Sequence, residues 1–397
     1  MAKTVIPIGP YHPLQEEPEF FQLVVEGETV VDAIANIGYN HRGIEKLSEM
    51  KTFDQVTFVI ERICGICSSS HPIAYVQAVE DLFDDLVIPE RALYIRTVVQ
   101  ELERIHSHLL WLGLAGHFLG YNTVYMWAWK QREEMLDVLE ALTGNRNNYA
   151  MLKPGGVRRD FVNVSFSWVI DRLNKLTEWM NTIKKAVLDD PVLHARLKGV
   201  GVLTKQDCID YCALGPTSRA SGIPNDVRYD DPYAAYDKIS WNVITQEEGD
   251  VFAKAVVRIL EIFESINMVI QCLQKMPAGP IDANIKDVPV GEGIGHIEAP
   301  RGESFHYIRS DGTNRPTRHK VRAPTFMNLP TYKEALIGET ISDATIILAA
   351  IDPCYCCTER LTVLNERGEK KIYTQAELIR MSQQKTEKIR QKMGIKK

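Results

Sequence analysis

Ile351-Asp352-Pro353-Cys354-Tyr355-Cys356-Cys357-Thr358-Glu359-Arg360 and, far upstream, Glu61-Arg62-Ile63-Cys64-Gly65-Ile66-Cys67-Ser68-Ser69-Ser70-His71 each hold a Cys-x-x-Cys pair. That spacing lets two thiolates point at one metal from a single turn, and two such pairs make a four-sulfur donor set. The chain between them reads as scaffold that brings these two segments together.

On spacing alone, three readings of these cysteines stand. Paired Cys-x-x-Cys usually means structural zinc. Zinc ribbons, however, place the second pair a few tens of residues after the first, whereas here the pairs lie at opposite ends of the chain. The flanks also differ from a zinc knuckle: apolar Ile63 and Ile66, Pro353 directly before Cys354, and arginines beside both pairs. A redox metal centre is the second reading, and reactive or incidental thiols are the third.

Composition bounds the rest. The chain has 397 residues, 45% hydrophobic and 25% charged, which is globular composition and enough for one large or two ordinary domains. A net charge of -6 gives no electrostatic case for nucleic acid. No run approaches the roughly 18 apolar residues needed to span a bilayer, and the N-terminus does not read as a signal peptide. Membrane attachment is therefore expected only through partners. Eight cysteines in such a chain suggest reduced thiols in the cytoplasm. Of these, Cys208, Cys212 and Cys272 are expected to pack as small apolar residues, and they are too few for the four ligands of an iron–sulfur cluster.

Residues 4–37 read as strands, with a Glu26-Gly27 turn between β-branched runs. Residues 41–86 read as helical, so that His41 and Glu45 share a face; a solvated salt-bridge face is the plain meaning of that pattern. Apolar stripes predict long helices over 89–117, 123–142 and 161–188. Within the first, Glu101, Arg104 and His108 fall on one face and read as a structural network, since a buried charge must pair. Residues 226–241 are polar, aromatic and turn-rich, which predicts a surface insertion or partner contact. Thr245-Gln246-Glu247-Glu248 reads as a capping box starting a helix to about 276, and 277–326 returns to strands and turns. The expected fold is mainly α with smaller antiparallel β elements (α+β): a helical bundle with N- and C-terminal hairpins. One domain is expected over 1–360. The extension 361–397 reads as a hairpin around Arg367-Gly368 and a basic helix, opened by a Thr374-x-x-Glu377 box, that docks on a partner subunit.

Arg62-x-Cys64-x-x-Cys67-x-x-x-His71 and Asp352-Pro353-Cys354-x-x-Cys357-x-x-Arg360 resemble the two signatures of the nickel–iron hydrogenase large subunit. The segment Gly9-Pro10-x-His12-Pro13 with Glu17-Pro18, and His41-Arg42-Gly43-x-Glu45-Lys46, are similar to the energy-converting, membrane-associated group of that family (the Ech, CO-induced and formate-hydrogenlyase types) and to the quinone-site subunit of complex I. Arg360 stands where other hydrogenases usually carry a histidine. The resemblance runs from about Gly9 to Arg360. Complex I subunits lack the four cysteines, so their presence here favours a metal centre.

The resemblance implies a nickel–iron centre with CO and cyanide on the iron. Cys64 and Cys354 would be terminal on nickel, and Cys67 and Cys357 would bridge; Cys356 has no place in the pattern. It implies that Glu17, preferred to Glu16 for the proline after it, relays protons. Arg301, in Glu-Ala-Pro-Arg-Gly at 298–302, would lie over the metals. Asp352, Arg62, His71 and Pro353 would surround them, and a magnesium ion near Glu45 is a further expectation. It also implies reversible H2 oxidation, iron–sulfur clusters only in partner subunits, a small iron–sulfur hydrogenase subunit and ferredoxin as redox partners, and membrane subunits that pump H+ or Na+. The chain would then sit at the cytoplasmic face of the cell membrane. A sulfur- or polysulfide-reducing subunit, or a quinone-site subunit on the same scaffold, is the alternative.

Overall fold

Glu90–Phe118 forms one 29-residue helix that is buried on nearly all sides. A helix this enclosed must be the centre of its domain. The computed structural model describes residues 2–12, 15, 17–358, 373 and 375–394. Against the central helix pack Asn122–Thr143, closed by Gly144 in the left-handed conformation, and Val251–Lys275, while Phe166–Asp189 packs on these two helices in turn. On the apolar stripe of the predicted 161–188 helix, Leu173, Leu176 and Met180 are buried, while Trp168 and Ile170 are only half-buried.

Two three-stranded antiparallel sheets flank the helices, beside a two-stranded one at Leu152–Lys153 and Gly156–Val157, so the architecture is α+β as expected. Lys3–Ile8, Phe20–Glu26 and Thr29–Asn36 make an N-terminal meander with a bulge at Val24/Val25. Its third strand is tied to the segment entering helix Ile341–Ala350: Val30 N–H donates to Glu339 O at 2.9 Å, and Ile341 N–H to Glu28 O at 3.0 Å. That helix delivers the second cysteine pair. The other sheet, Val290–Ala299, Gly302–Asp311 and Pro316–Arg322, lies against helix Ser70–Glu80, which follows the first pair. The approach is backbone to backbone. A Cβ on Gly295 would stand 2.0 Å from Ala74 O, and one on Gly293 2.1 Å from Ala78 O, so only glycine fits at these two positions.

Beside the central helix lies a buried ionic network. Glu101 accepts from Arg104 at 3.2 Å, Arg228 at 3.1 Å and Ser265 at 2.6 Å; Arg219 donates to Glu261 at 2.9 Å and Glu298 at 2.7 Å; His108 meets Glu261 at 2.8 Å. The expected structural role of Glu101, Arg104 and His108 is what the geometry gives. Arg104 also donates to the carbonyls of Glu298 and Ala299, at 2.5 and 3.1 Å, which fixes the turn carrying Arg301. Breaking such a buried pair by removing one partner costs about 3–5 kcal/mol.

Several expectations are corrected. The 226–241 segment is no surface insertion: Asp226, Arg228 and Tyr236 are buried in the ionic network. The helix near 245 starts later, capped by Asp250, whose carboxylate accepts from Ala253 N–H at 2.7 Å. His41 and Arg42 precede a short helix, Ile44–Ser48, rather than sharing it with Glu45. Cys208 and Cys272 are buried, but Cys212 is exposed. The chain divides into two compact units, 1–359 and 360–397. The second contains helix Gln375–Lys392; the expected hairpin at Arg367-Gly368 and cap at Thr374 lie outside the described residues. No helix of the described residues is long and apolar enough to cross a membrane.

At the edge of the C-terminal sheet, His296 bonds Glu303 and Asp231, at 2.9 and 2.8 Å, and Arg322 also reaches Glu303, at 2.5 Å. The Glu303 bond, with help from Asp231, raises the His296 pKa from 6.5 to about 9. The same bond, with Arg322, lowers Glu303 from 4.5 to about 2. The histidine's contribution is complete below pH 6.5 and is lost as pH rises through 9. The carboxylate's is complete above 4.5 and is lost as pH falls through 2. The melting-temperature difference between wild type and His296→Gln is therefore expected to be largest between pH 4.5 and 6.5 and to shrink on either side. A pH-independent difference would refute the pairing.

Candidate metal centre

The first pair sits on a tight turn between the 3-10 segment Glu61–Ile63 and helix Ser70–Glu80. The Ile66 and Cys67 N–H groups point at Cys64 Sγ, at 3.3 and 3.5 Å. Glu103 of the central helix caps the helix that follows. It accepts from Ser69 N–H, from Ser70 N–H at 3.1 Å and from Ser70 Oγ at 2.5 Å, and burial pushes its pKa up to about 7. The second pair follows a turn at Asp352, whose φ of 55° is left-handed, a conformation Asp adopts more readily than most residues. Cys354 N–H then donates to Thr325 Oγ1 at 3.1 Å.

The two turns meet in the interior. Cys354 Sγ lies 3.2 Å from Cys64 Sγ and 2.8 Å from Cys357 Sγ, and these three sulfurs lie within 4.8 Å of one another. Cys67, equally buried, lies against the same group and is 3.7 Å from an Arg301 nitrogen, but falls outside the mutual 4.8 Å set. Among the described residues no second group of three potential ligands converges.

The charges suit a cation. Hydrogen bonds from Cys354, Cys357 and Cys67 hold the Cys64 thiol well below the usual range. Burial, with the neighbouring sulfurs, pushes Cys357 well up. Cys67 and Cys354 are helped by Cys357, but contact with Cys64 and burial push both well up as well. A metal bound here would take the cysteines as thiolates, releasing their protons. Soft thiolates packed this closely fit nickel and iron as well as they fit zinc.

Charged groups close over the sulfurs. Arg301, fully buried, donates to Asp352 Oδ1 at 2.6 Å, Asp352 O at 2.7 Å and Ser107 Oγ at 3.1 Å. Asp352 Oδ2 is buried without a hydrogen-bond partner among the described residues. Gly215, at φ 68°, lets its backbone pass the Arg301 turn, where a Cβ would meet Arg301 O at 2.4 Å. Glu17 Oε2 accepts from Cys356 N–H at 2.7 Å; burial and then Cys64 raise its pKa. A structural zinc site has no call for a buried arginine and a protonatable carboxyl at its edge.

Known proteins narrow the choice. The chain is 41% identical over 97% of its length, and 93% of the relative's, to the membrane-bound hydrogenase subunit alpha of Pyrococcus furiosus. The chain belongs to the energy-converting nickel–iron hydrogenase large-subunit family. Carbon monoxide-induced hydrogenase of Rhodospirillum rubrum is 39% identical over 91% of the chain and all of the relative. A family model described as nickel-dependent hydrogenase matches residues 42–116. One for the 49 kDa subunit of respiratory-chain NADH dehydrogenase matches 119–288 and 283–360, which bears out the expected kinship with complex I. Among solved structures, a chain of the membrane-bound sulfane sulfur reductase, an archaeal respiratory membrane complex, superposes with a TM-score of 0.85. It is 31% identical and covers 90% of this chain and 98% of its own.

Of the residues matched to hydrogenase motifs, Cys64, Cys67, Cys354, Cys357, Arg301, Asp352 and His71 share one buried site, with Glu17 at its rim. His71 Nε2 lies 3.3 Å from Cys357 Sγ. Pro353 is half-buried between Asp352 and Cys354, lining a small cavity with Ile8, Phe21 and Tyr355. Arg62 does not join them: its half-exposed guanidinium turns back to Phe58 O and Glu61. Glu45 is paired with Lys320 at 2.7 Å and accepts from Val321 N–H at 3.1 Å, so an ammonium stands beside the carboxylate expected near magnesium. Glu16 and Arg360 lie outside the described residues. Arg42, to which the sequence assigns no role at the metal, ties the two cysteine turns together. It donates to Arg62 O and Ile63 O, each at 2.7 Å, and to Cys356 O at 3.4 Å.

Proposed function

We propose that this chain is the catalytic large subunit of a membrane-associated, energy-converting hydrogenase that interconverts H2 with two protons and two electrons. The observation that carries this reading is the convergence of Cys64, Cys354 and Cys357, with Cys67 beside them, under the Arg301–Asp352 pair. Cys64, Cys67, Cys354 and Cys357 would together hold a nickel–iron centre whose iron carries CO and cyanide. A nickel–iron pair so held would supply the heterolysis of H2.

The surrounding residues divide the remaining work. Arg301 presents fixed donors and a permanent charge to anionic iron ligands, and Asp352 orients it. Cys354 Sγ would hold the first proton, and Glu17, within hydrogen-bond reach of the adjacent backbone, would carry it outward. Electrons would leave through a small iron–sulfur subunit to ferredoxin, with membrane partners moving H+ or Na+. The unit at 360–397 would dock on a neighbouring subunit at the cytoplasmic face. A magnesium ion at Glu45 would have to compete with Lys320.

A second reading, reduction of sulfane sulfur, is favoured by the likeness to the sulfane sulfur reductase chain. The purified complex decides. Nickel and iron by elemental analysis, infrared bands of bound CO and cyanide, and H2–D2O exchange are expected. Zinc alone, or polysulfide reduction without exchange, overturns the proposal.

A further inference from the structure

Behind Cys357 runs a file of three buried imidazoles. His71 Nδ1 lies 3.1 Å from His306 Nε2, and His306 Nδ1 lies 3.0 Å from His319 Nε2. Successive ring centroids are 5.4 and 5.1 Å apart. The sheet explains how the file is built. In the ladder His319 pairs with Ile308, two residues from His306, so both rings project from one face, the face that packs on the helix carrying His71.

The thiolate sets the direction of every bond in this file. A metal-bound thiolate accepts and cannot donate, so His71 must present Nε2–H to Cys357, leaving a bare lone pair at Nδ1. His306 must then donate from Nε2, which bares its own Nδ1, and His319 must do the same. The file ends at His319 Nδ1, buried with no hydrogen-bond partner among the described residues. Ser304 Oγ also approaches His71 Nδ1, but at 3.4 Å it is the weaker donor. Each N···N contact, at 3.1 and 3.0 Å, needs one donor and one acceptor nitrogen, so the tautomers of the three rings are linked.

We infer that His306 and His319 are positioning residues that act in series to lock His71 in the tautomer donating to Cys357, and so set how much electron density that sulfur passes to the metals. This rests on the reading of Cys357 as a metal ligand. A hydrogen bond withdraws density from the sulfur; losing it enriches the metals and lowers the stretching frequencies of CO and cyanide on iron.

The test uses the loaded complex. His306→Leu removes the donor to His71, whereas His306→Gln keeps an N–H near the same place. His306→Leu is expected to shift the CO and cyanide bands to lower frequency at unchanged nickel and iron content. His306→Gln is expected to return them towards wild type, and His319→Leu to give a smaller shift of the same sign. Wild-type bands in a loaded His306→Leu complex overturn the inference. If that variant does not assemble, nitrogen-15 spectra of histidine-labelled wild type in a diamagnetic state decide: His71 must show N–H at Nε2, and N–H at Nδ1 overturns the inference. Should the centre hold zinc and show no CO or cyanide bands, the function proposed above fails, yet the nitrogen spectra still judge the tautomer, because any metal-bound thiolate only accepts.

Discussion

Cys354→Ser is expected to yield a folded chain with nickel at background level and no H2–D2O exchange. Cys354 Sγ lies 3.2 Å from Cys64 Sγ and 2.8 Å from Cys357 Sγ, in contact with both. Serine fills nearly the same space and keeps the Cys354 N–H bond to Thr325. The metal-free fold should therefore change by no more than about 1 kcal/mol. A neutral hydroxyl, however, is a hard and weakly acidic donor where a soft thiolate is needed. The loss of metal should exceed the roughly 10–100-fold typical when only an outer partner of a ligand is removed. Cys356→Ser is the control. Two residues away, its half-buried side chain lies by Glu17, outside the sulfur cluster, and it should retain nickel. Nickel content by mass spectrometry, beside thermal melts of the metal-free proteins, reads both. A Cys354→Ser protein that keeps its nickel would remove Cys354 from the ligand set.

The cysteine turns were legible because their spacing is local: a pair three residues apart declares its purpose without knowledge of the fold. The long helices were legible for a similar reason, since an apolar stripe repeats within the element. What could not be read is built from groups that carry no local mark. Arg42 binds three backbone carbonyls from two distant turns, and a carbonyl acceptor leaves no trace in residue identity. His306 and His319 sit in ordinary alternating strands; only the pairing register places them in line with His71. The 226–241 segment failed for the opposite reason. Its charges look solvated by composition, but Asp226 and Arg228 meet Arg219 and Glu101 in the interior, where ionic groups survive only as a set. Asp250 displaced the expected cap at Thr245 because its two carboxylate oxygens serve separate partners, Ala253 N–H at 2.7 Å and Gly199 N–H at 2.8 Å.

Glu17→Gln is expected to leave nickel and iron in place while slowing H2–D2O exchange by roughly 10²–10⁴-fold, the usual worth of a positioned acid–base group. The substitution separates two roles of one side chain. Glu17 Oε2 accepts the Cys356 N–H at 2.7 Å, and a glutamine oxygen can do the same, so the second cysteine turn stays held. An amide cannot take up and release a proton. Burial and the adjacent Cys64 already favour the protonated carboxyl, which makes a proton offered from the sulfur side acceptable there. Glu17→Asp retains the acid but draws it back by one methylene, so exchange between wild type and glutamine levels is expected. Infrared bands and metal content measured on the same samples show whether the centre is intact. Full exchange in Glu17→Gln with an intact centre would mean that protons leave the sulfurs by another route. Lost metal would instead mean that the carboxylate serves the turn rather than the reaction, and the Arg42 bonds to Ile63 O and Cys356 O would then have failed to hold the two turns together unaided.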